Sequence, residues 1–432
     1  MTDFASRVRR QGTDYIVRSL MDVDFYKFTM GYFIHKYYAG TDVKFGLINR
    51  DKTIPLGLMI DEQELRDQLD YVRTLKFRRT DLYYLRGMDV YGKNMFSEEY
   101  IQFLAGLQLP PYNLEYDGEN INLTFQGPWE SVTFWETIAM AIISELYYRH
   151  FEQQMSDTEL RVTYGNATNK LYSKLKIIRD KAPGAKIADF GLRRRHSFMW
   201  QKFAIEMAKD VLGDNFTGTS NTWLAFNQDL VPIGTNAHEL PMVVTATYPD
   251  QYKADAQYDI IRKWGDTFNN GLKIVLPDTY GTKQFFEGMP ADLCQDVVQN
   301  WRGMRQDSGS PDQEAQTFMN WCEPMSYHDK VCIFSDGLDY DDIVRLHNRY
   351  QGKLITPFGW GTMLTNDFIG CDPDNNLMYR PFSMVCKVQE ANGKPAVKLS
   401  NNPDKATGPK DEVEKYKKIF GVEGHNQMKV TV

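Results

Sequence analysis

An α/β architecture is what the sequence predicts: an irregular (β/α)8-like barrel beside an α+β domain formed by the N-terminal region and completed by C-terminal residues. Three observations lead there. From about residue 184, short β-prone runs alternate with helical patterns over about 200 residues. Each run ends in small or polar residues, as barrel strands do where they meet their active-site loops. The first third of the chain lacks this cadence and mixes helices with short strands. A doubly wound open sheet would give similar alternation and remains an alternative.

Taken in order, residues 1–150 form the N-terminal α+β unit, 151–385 the barrel, and 386–432 a hairpin and tail that pack back on the first unit. "SLMDVDFYKFTMGYFIHKYY" has Leu20, Phe25, Phe28, Phe33 and Tyr37 at near-helical spacing, after an Asp-rich start that could cap the helix. "INLTFQGPWESV" reads as a strand and a Gly-Pro turn, leading to the strongly apolar helix "TFWETIAMAIISELYYRHFEQ". Eight strand-like runs follow: "KIADFGLRRR", "NFTGTSN", "LVPIGTNAHE", "LKIVLPDTYGT", "RGMRQDSGS", "KVCIFSDGLD", "LITPFGWGT" and "SMVCKVQ". In "CKVQEANGKPAVKLS" an Asn-Gly turn between two strand-like runs marks a hairpin.

Bulk properties narrow the function. A net charge of −7 supplies no global basic field for nucleic acid, so an anionic substrate needs a local basic cluster. The opening "MTDFASRVRRQGTDYIVRSL" lacks the apolar stretch of a signal peptide, and "TIAMAII" stops at Ser144 and Glu145, well short of a span. The chain is expected to be cytoplasmic. Its 5 cysteines, at 294, 322, 332, 371 and 386, show no close pair, so neither a zinc ribbon nor a disulfide framework is indicated.

Chemistry gathers at the run ends. In "IGTNAHELP", His238 could be a metal ligand, a catalytic histidine or a turn cap. The metal reading is weak, because "HELPM" lacks a second histidine at i+4 and Pro241 interrupts the helix a zincin needs. "DFGLRRRHS" sets Arg193 to Arg195 at a helix start, where the dipole disfavours cations, so an anion is the natural reason for them. "RQDSGS" joins Arg305, Asp307, Ser308 and Gly309, while "FSDGLD" and "FGWGTMLTND" are small-residue tips suited to phosphate. With Asp278, Asp307 and Asp336 they describe one mouth fit for a phosphorylated sugar and a divalent ion.

"DVDFYKFTM", "DFGLRRRHS", "TGTSN", "GTNAHE", "PDTYGT", "RQDSGSP", "FSDGLD" and "FGWGTMLTND", in this order and spacing, resemble the nicotinate phosphoribosyltransferases over roughly residues 15 to 400. The resemblance implies a homodimer with active sites at the interface. It also implies nicotinate, 5-phosphoribosyl-1-pyrophosphate and ATP as substrates, with Mg²⁺. Carried over, Phe190 is one face of a ring sandwich for the pyridine, and Tyr26 is the other, donated by the partner subunit. Arg193 and Arg305 lie near the nicotinate carboxylate and the phosphoribosyl phosphates; Asp278 and Asp307 lie near the ribose and Mg²⁺, the metal contact running directly or through water. Asp336, Gly337, Gly359, Gly361 and Thr362 cradle the 5′-phosphate. His238 is the histidine that ATP phosphorylates, oriented by Glu239 or merely near it. Ser220 stands where nicotinamide-using relatives carry an aspartate, which favours the acid over the amide. Ser310 and Leu192 depart from the family pattern, and Ser310 could weaken charge near the metal.

Overall fold

The computed structural model describes residues 14–268, 270–325, 329–402 and 405–422. Two sheets organise it. The first is antiparallel, in the order β11-β10-β1-β3-β2, with β1 Asp42–Asn49, β2 Tyr112–Asp117, β3 Asn120–Pro128, β10 Met384–Ala391 and β11 Lys394–Pro395. The second is parallel, in the order β5-β4-β9-β8-β7-β6, with β4 Lys186–Asp189, β5 Phe216–Thr219, β6 Ile274–Val275, β7 Gly303–Gln306, β8 Val331–Phe334 and β9 Pro357–Trp360. The architecture is the mixed α/β one that the sequence predicts.

Six of the eight runs form the parallel sheet. Two do not. "LVPIGTNAHE" contributes a single parallel bridge, Thr219 with Pro232, because its backbone then turns to meet the helix Tyr26–Tyr38. A Cβ on Gly234 would come within 2.7 Å of the Tyr26 backbone nitrogen, so only glycine permits this approach. "SMVCKVQ" is a strand, but it pairs antiparallel with β1 in the other sheet. The Asn-Gly turn is as read: Asn392 (φ 48°) and Gly393 (φ 71°) are both left-handed, the pattern of a tight hairpin turn, and Ala391 pairs with Lys394 across it.

The helix Trp135–Glu152 joins the two layers. Sixteen of its residues are buried, so it has no polar face, and it packs on both β10 and the turn Leu192–Arg194. The Asp-rich start of the first helix does not cap it: Phe25 is the N-cap, without a side-chain bond. Asp22 instead takes a bidentate grip from Arg195, at 2.8 Å on both oxygens, and Asp24 accepts from Ser220 at 2.6 Å. These buried bonds, with Phe25 N–H to Ser220 O at 2.7 Å, fasten the N-terminal segment to the loops after β4 and β5. Among the described residues no helix is long and apolar enough to cross a membrane.

Candidate active site

In a parallel sheet, all strands end on one side, so the loops following them share a mouth. Here a cavity of about 210 Å³ opens between that mouth and the antiparallel sheet. Of the residues singled out in the sequence, Tyr26, Phe190, Arg193, His238 and Arg305 line it, as do Asp307, Asp336, Gly337, Gly361 and Thr362. Asp278, Ser220 and Gly359 are buried and do not line it.

The two rings come from one chain. Tyr26 was expected across a subunit boundary, but the Asp22 and Asp24 anchors place it in the cavity that its own chain's Phe190 lines. Tyr26 donates its hydroxyl proton to Glu136 at 3.0 Å, and the Arg193 guanidinium lies 5.8 Å from its ring. Gly359 seats the other ring rather than a phosphate: a Cβ there would fall 2.4 Å from Phe190 Cδ2. Asp189 holds the loop, accepting from Gly191 N–H, Gln201 and Thr219 at 2.6–2.8 Å.

The three arginines divide. Arg195 is buried on Asp22 and does not reach the cavity. Arg193 lies between Asp24 (3.3 Å) and Glu136 (3.5 Å). Arg194 lines the cavity with no ion-pair contact among the described residues, and burial together with Arg193 and Arg50 pushes its pKa down to about 10 against the pull of Asp336 and Asp307. Ser220 does not face the cavity; its hydroxyl is committed to Asp24, whose own pKa burial raises. Leu192 is core, and Ser310, the N-cap of the helix Pro311–Cys322, is not among the residues that line the cavity.

His238 sits at the start of the helix Glu239–Thr247. Its Nε2 faces Asp307 at 3.1 Å and Asp278 at 3.5 Å, while Nδ1 meets the Thr279 hydroxyl at 2.9 Å. Burial and the Lys398 charge lower its pKa against the pull of both carboxylates, so the ring is neutral at neutral pH. Asp307, despite burial, is held well below the usual carboxylate range by Arg305, His238 and Lys398. Glu239 does not orient His238; it accepts from Lys27 at 2.7 Å and from Trp129 at 2.6 Å. Lys27, fully buried, also meets Glu136 at 2.5 Å; burial alone would lower its pKa, but the two glutamates raise it.

The sequence motifs missed the basic half of the site. Arg50 follows β1, Lys387 lies on β10, and Lys398 and Lys405 come from the segment after the hairpin; all four line the cavity. Burial, helped by neighbouring cations, lowers the pKa of Lys387 and Lys398, and burial lowers that of Arg50. Seven cations (these with Arg193, Arg194 and Arg305) face four carboxylates, so the cavity is basic within an acidic chain. Arg50, Lys387, Lys398 and Lys405 lie outside the strand-end motifs, and only the fold brings them together with the three arginines.

The cavity offers the rings of Tyr26 and Phe190 to a flat ligand and a basic wall to several anionic groups. The carboxylates fit a divalent ion that arrives on a phosphorylated substrate. Asp307 borders the cavity and Asp278 Oδ1 is buried without a hydrogen-bond partner, while among the described residues no group of three His, Cys, Asp or Glu could hold a metal alone.

The sequence profile of the Nicotinate phosphoribosyltransferase (NAPRTase) family matches residues 185–424, and that of its N-terminal domain matches residues 21–144. A nicotinate phosphoribosyltransferase from Vibrio cholerae is 28% identical, with 95% of each chain covered and a TM-score of 0.84. One from Porphyromonas gingivalis is 26% identical over 94% of this chain and 100% of that chain, with a TM-score of 0.80. A Saccharomyces cerevisiae chain, 23% identical over 95% of this chain and 99% of its own, shares the fold at a TM-score of 0.82. With the profiles spanning both sheets and the cavity between them, the chain belongs to the nicotinate phosphoribosyltransferase family.

Proposed function

We propose that the protein transfers the phosphoribosyl group of 5-phosphoribosyl-1-pyrophosphate to nicotinate, releasing pyrophosphate and forming nicotinate mononucleotide for NAD biosynthesis. In this reading ATP phosphorylates His238 and its hydrolysis is coupled to the transfer. The observation that carries the proposal is the cavity itself: two aromatic rings, Tyr26 and Phe190, line it together with a basic wall, in a chain whose net charge is −7.

The chemistry asks for such a wall. Loss of pyrophosphate from the anomeric carbon leaves an oxocarbenium-like centre, stabilised by nearby carboxylates, while the departing phosphates need cations. Asp307, ionised and beside the cavity, suits the first demand. Arg50, Arg194 and Lys387, whose pKa values burial lowers, suit the second, since an arriving anion relieves their repulsion. Mg²⁺ carried on the pyrophosphate would neutralise further charge on the leaving group. Arg193 meets the carboxylate of nicotinate, and the pyridine nitrogen, which carries no proton at neutral pH, needs no general base.

His238 suits phosphorylation because a neutral imidazole keeps one nucleophilic nitrogen lone pair once a neighbouring hydroxyl or carboxylate gives way, and Asp307 and Asp278 stabilise the positive charge the ring gains with a phosphoryl group. The test is product formation from nicotinate and phosphoribosyl pyrophosphate, with and without ATP. His238→Ala should abolish nicotinate-stimulated ATP hydrolysis and leave slow, ATP-independent transfer. Coupling that survives the substitution would remove the phosphohistidine role.

A further inference from the structure

The loop 335–339 and the segment 361–367, which includes the short helix Thr362–Thr365, follow the neighbouring strands β8 and β9 and bring Asp336, Gly337, Gly361 and Thr362 to the cavity. Parallel strands hold their own ladder in register, but that ladder ends where the loops begin. What spans the loops comes from behind, from the helix Asp157–Lys181. Its buried face runs Leu160, Thr163, Tyr164, Ala167, Leu171, Lys174, Leu175 and Ile178, an i, i+3, i+4 stripe in which Lys174 is the single charge.

Lys174 Nζ lies 2.6 Å from Asp339 Oδ1 on the first loop and 2.7 Å from Asp367 Oδ2 on the second, and donates to Met363 O at 3.3 Å. Lys170, one turn earlier, meets the other oxygen of Asp367 at 2.6 Å, so two lysines balance two aspartates. The ammonium also lies 5.6 Å from the rings of Tyr340 and Trp360, which directly follow Asp339 and precede Gly361. A buried ion pair adds little stability over an apolar side chain of the same shape; its distinctive property is fixed geometry. Methionine would fill this stripe position without the desolvation cost of a lysine.

We infer that Lys174 is a positioning residue for phosphoribosyl binding: it ties the Asp336–Gly337 loop to the Gly361–Thr362 loop at the spacing that a single phosphorylated ligand spans. This rests on the proposed transferase reaction. Lys174 does not border the cavity and touches no substrate there.

The experiment is two-substrate kinetics on the full-length enzyme with Lys174→Met, Lys174→Arg and Asp339→Asn. Lys174→Met should raise KM for phosphoribosyl pyrophosphate roughly tenfold or more, the scale expected when binding groups shift by a fraction of an ångström. KM for nicotinate should rise clearly less, because Phe190 is also held by β9 itself, through its N–H to Trp360 O at 2.9 Å, and Tyr26 lies on a separate helix. Lys174→Arg should recover part of the loss. Asp339→Asn keeps a helix-capping side chain while removing one charged arm, so it carries the test if Lys174→Met does not fold. An unchanged KM for phosphoribosyl pyrophosphate, or equal rises for both substrates, would overturn the role. A wild type that binds no phosphoribosyl pyrophosphate in calorimetry would instead overturn the transferase reading beneath it.

Discussion

Gly359 shows how little room the ring site leaves. Its hydrogen faces Phe190, and Gly359→Ala would push Cβ to 2.4 Å from the ring edge. The ring must then move, and KM for nicotinate should rise about tenfold with the fold intact, as small overpacking shifts side chains before it unfolds a core. Steady-state kinetics beside a thermal melt check both halves. His238 carries a pH signature at the same scale. Its folded pKa lies below the ordinary 6.5, so the neutral, reactive ring persists as pH falls to that value and is lost only below it. The ratio of ATP hydrolysed to product formed, measured between about pH 5 and 8, should therefore be flat above 6.5 and fall on the acid side. Residues inside strand-end motifs were legible because turn chemistry marks them. Arg50, Glu136, Lys398 and Lys405 were not, since a lone charge in an ordinary run carries no sign of the cavity it will face. Ser220 was legible as a position but not as a contact: its partner, Asp24, lies far away in sequence.

At the level of elements, the segment after the hairpin matters most. It crosses the mouth of the parallel sheet, where Leu399 and Ser400 donate backbone N–H to Thr279 O and Lys405 meets Asp336 at 2.5 Å. The helix Lys410–Phe420 then holds it with a small core of its own, in which Phe420 stacks on Tyr280 at 4.0 Å. Phe420→Ala should cost about 3 kcal/mol in that satellite core. Amide exchange in residues 277–281 should quicken, and activity should fall, because Asp278 and Thr279 lose their backing. Unchanged exchange there would mean the loop stands without the helix. Six strands of the parallel sheet and the Asn-Gly hairpin were readable from local pattern. The placement of "SMVCKVQ" was not, because β-propensity describes a strand and says nothing about which sheet will take it.

For the molecule as a whole, the question is how many chains one site needs. The Asp22–Arg195 and Asp24–Ser220 bonds tie the Tyr26 segment to the loops after β4 and β5, and within this chain Tyr26 and Phe190 line one cavity. Co-expressing Tyr26→Ala with Phe190→Ala and assaying the mixture should then recover no activity. Recovery above either variant alone would put the two rings on opposite sides of a subunit boundary. The fold class was legible from the β/α cadence, but the interleaving of the two ends of the chain through one sheet was visible only in outline.

That interleaving has a consequence for synthesis. β1 hydrogen-bonds to β3 on one side and to β10 on the other, with Val43 opposite Ala391. A nascent chain leaving the ribosome carries β1 with a bare edge until nearly all of it has been translated, and such an edge recruits strangers. Ribosome-stalled chains ending before residue 384 should therefore engage chaperones or aggregate, whereas chains released after β11 should not.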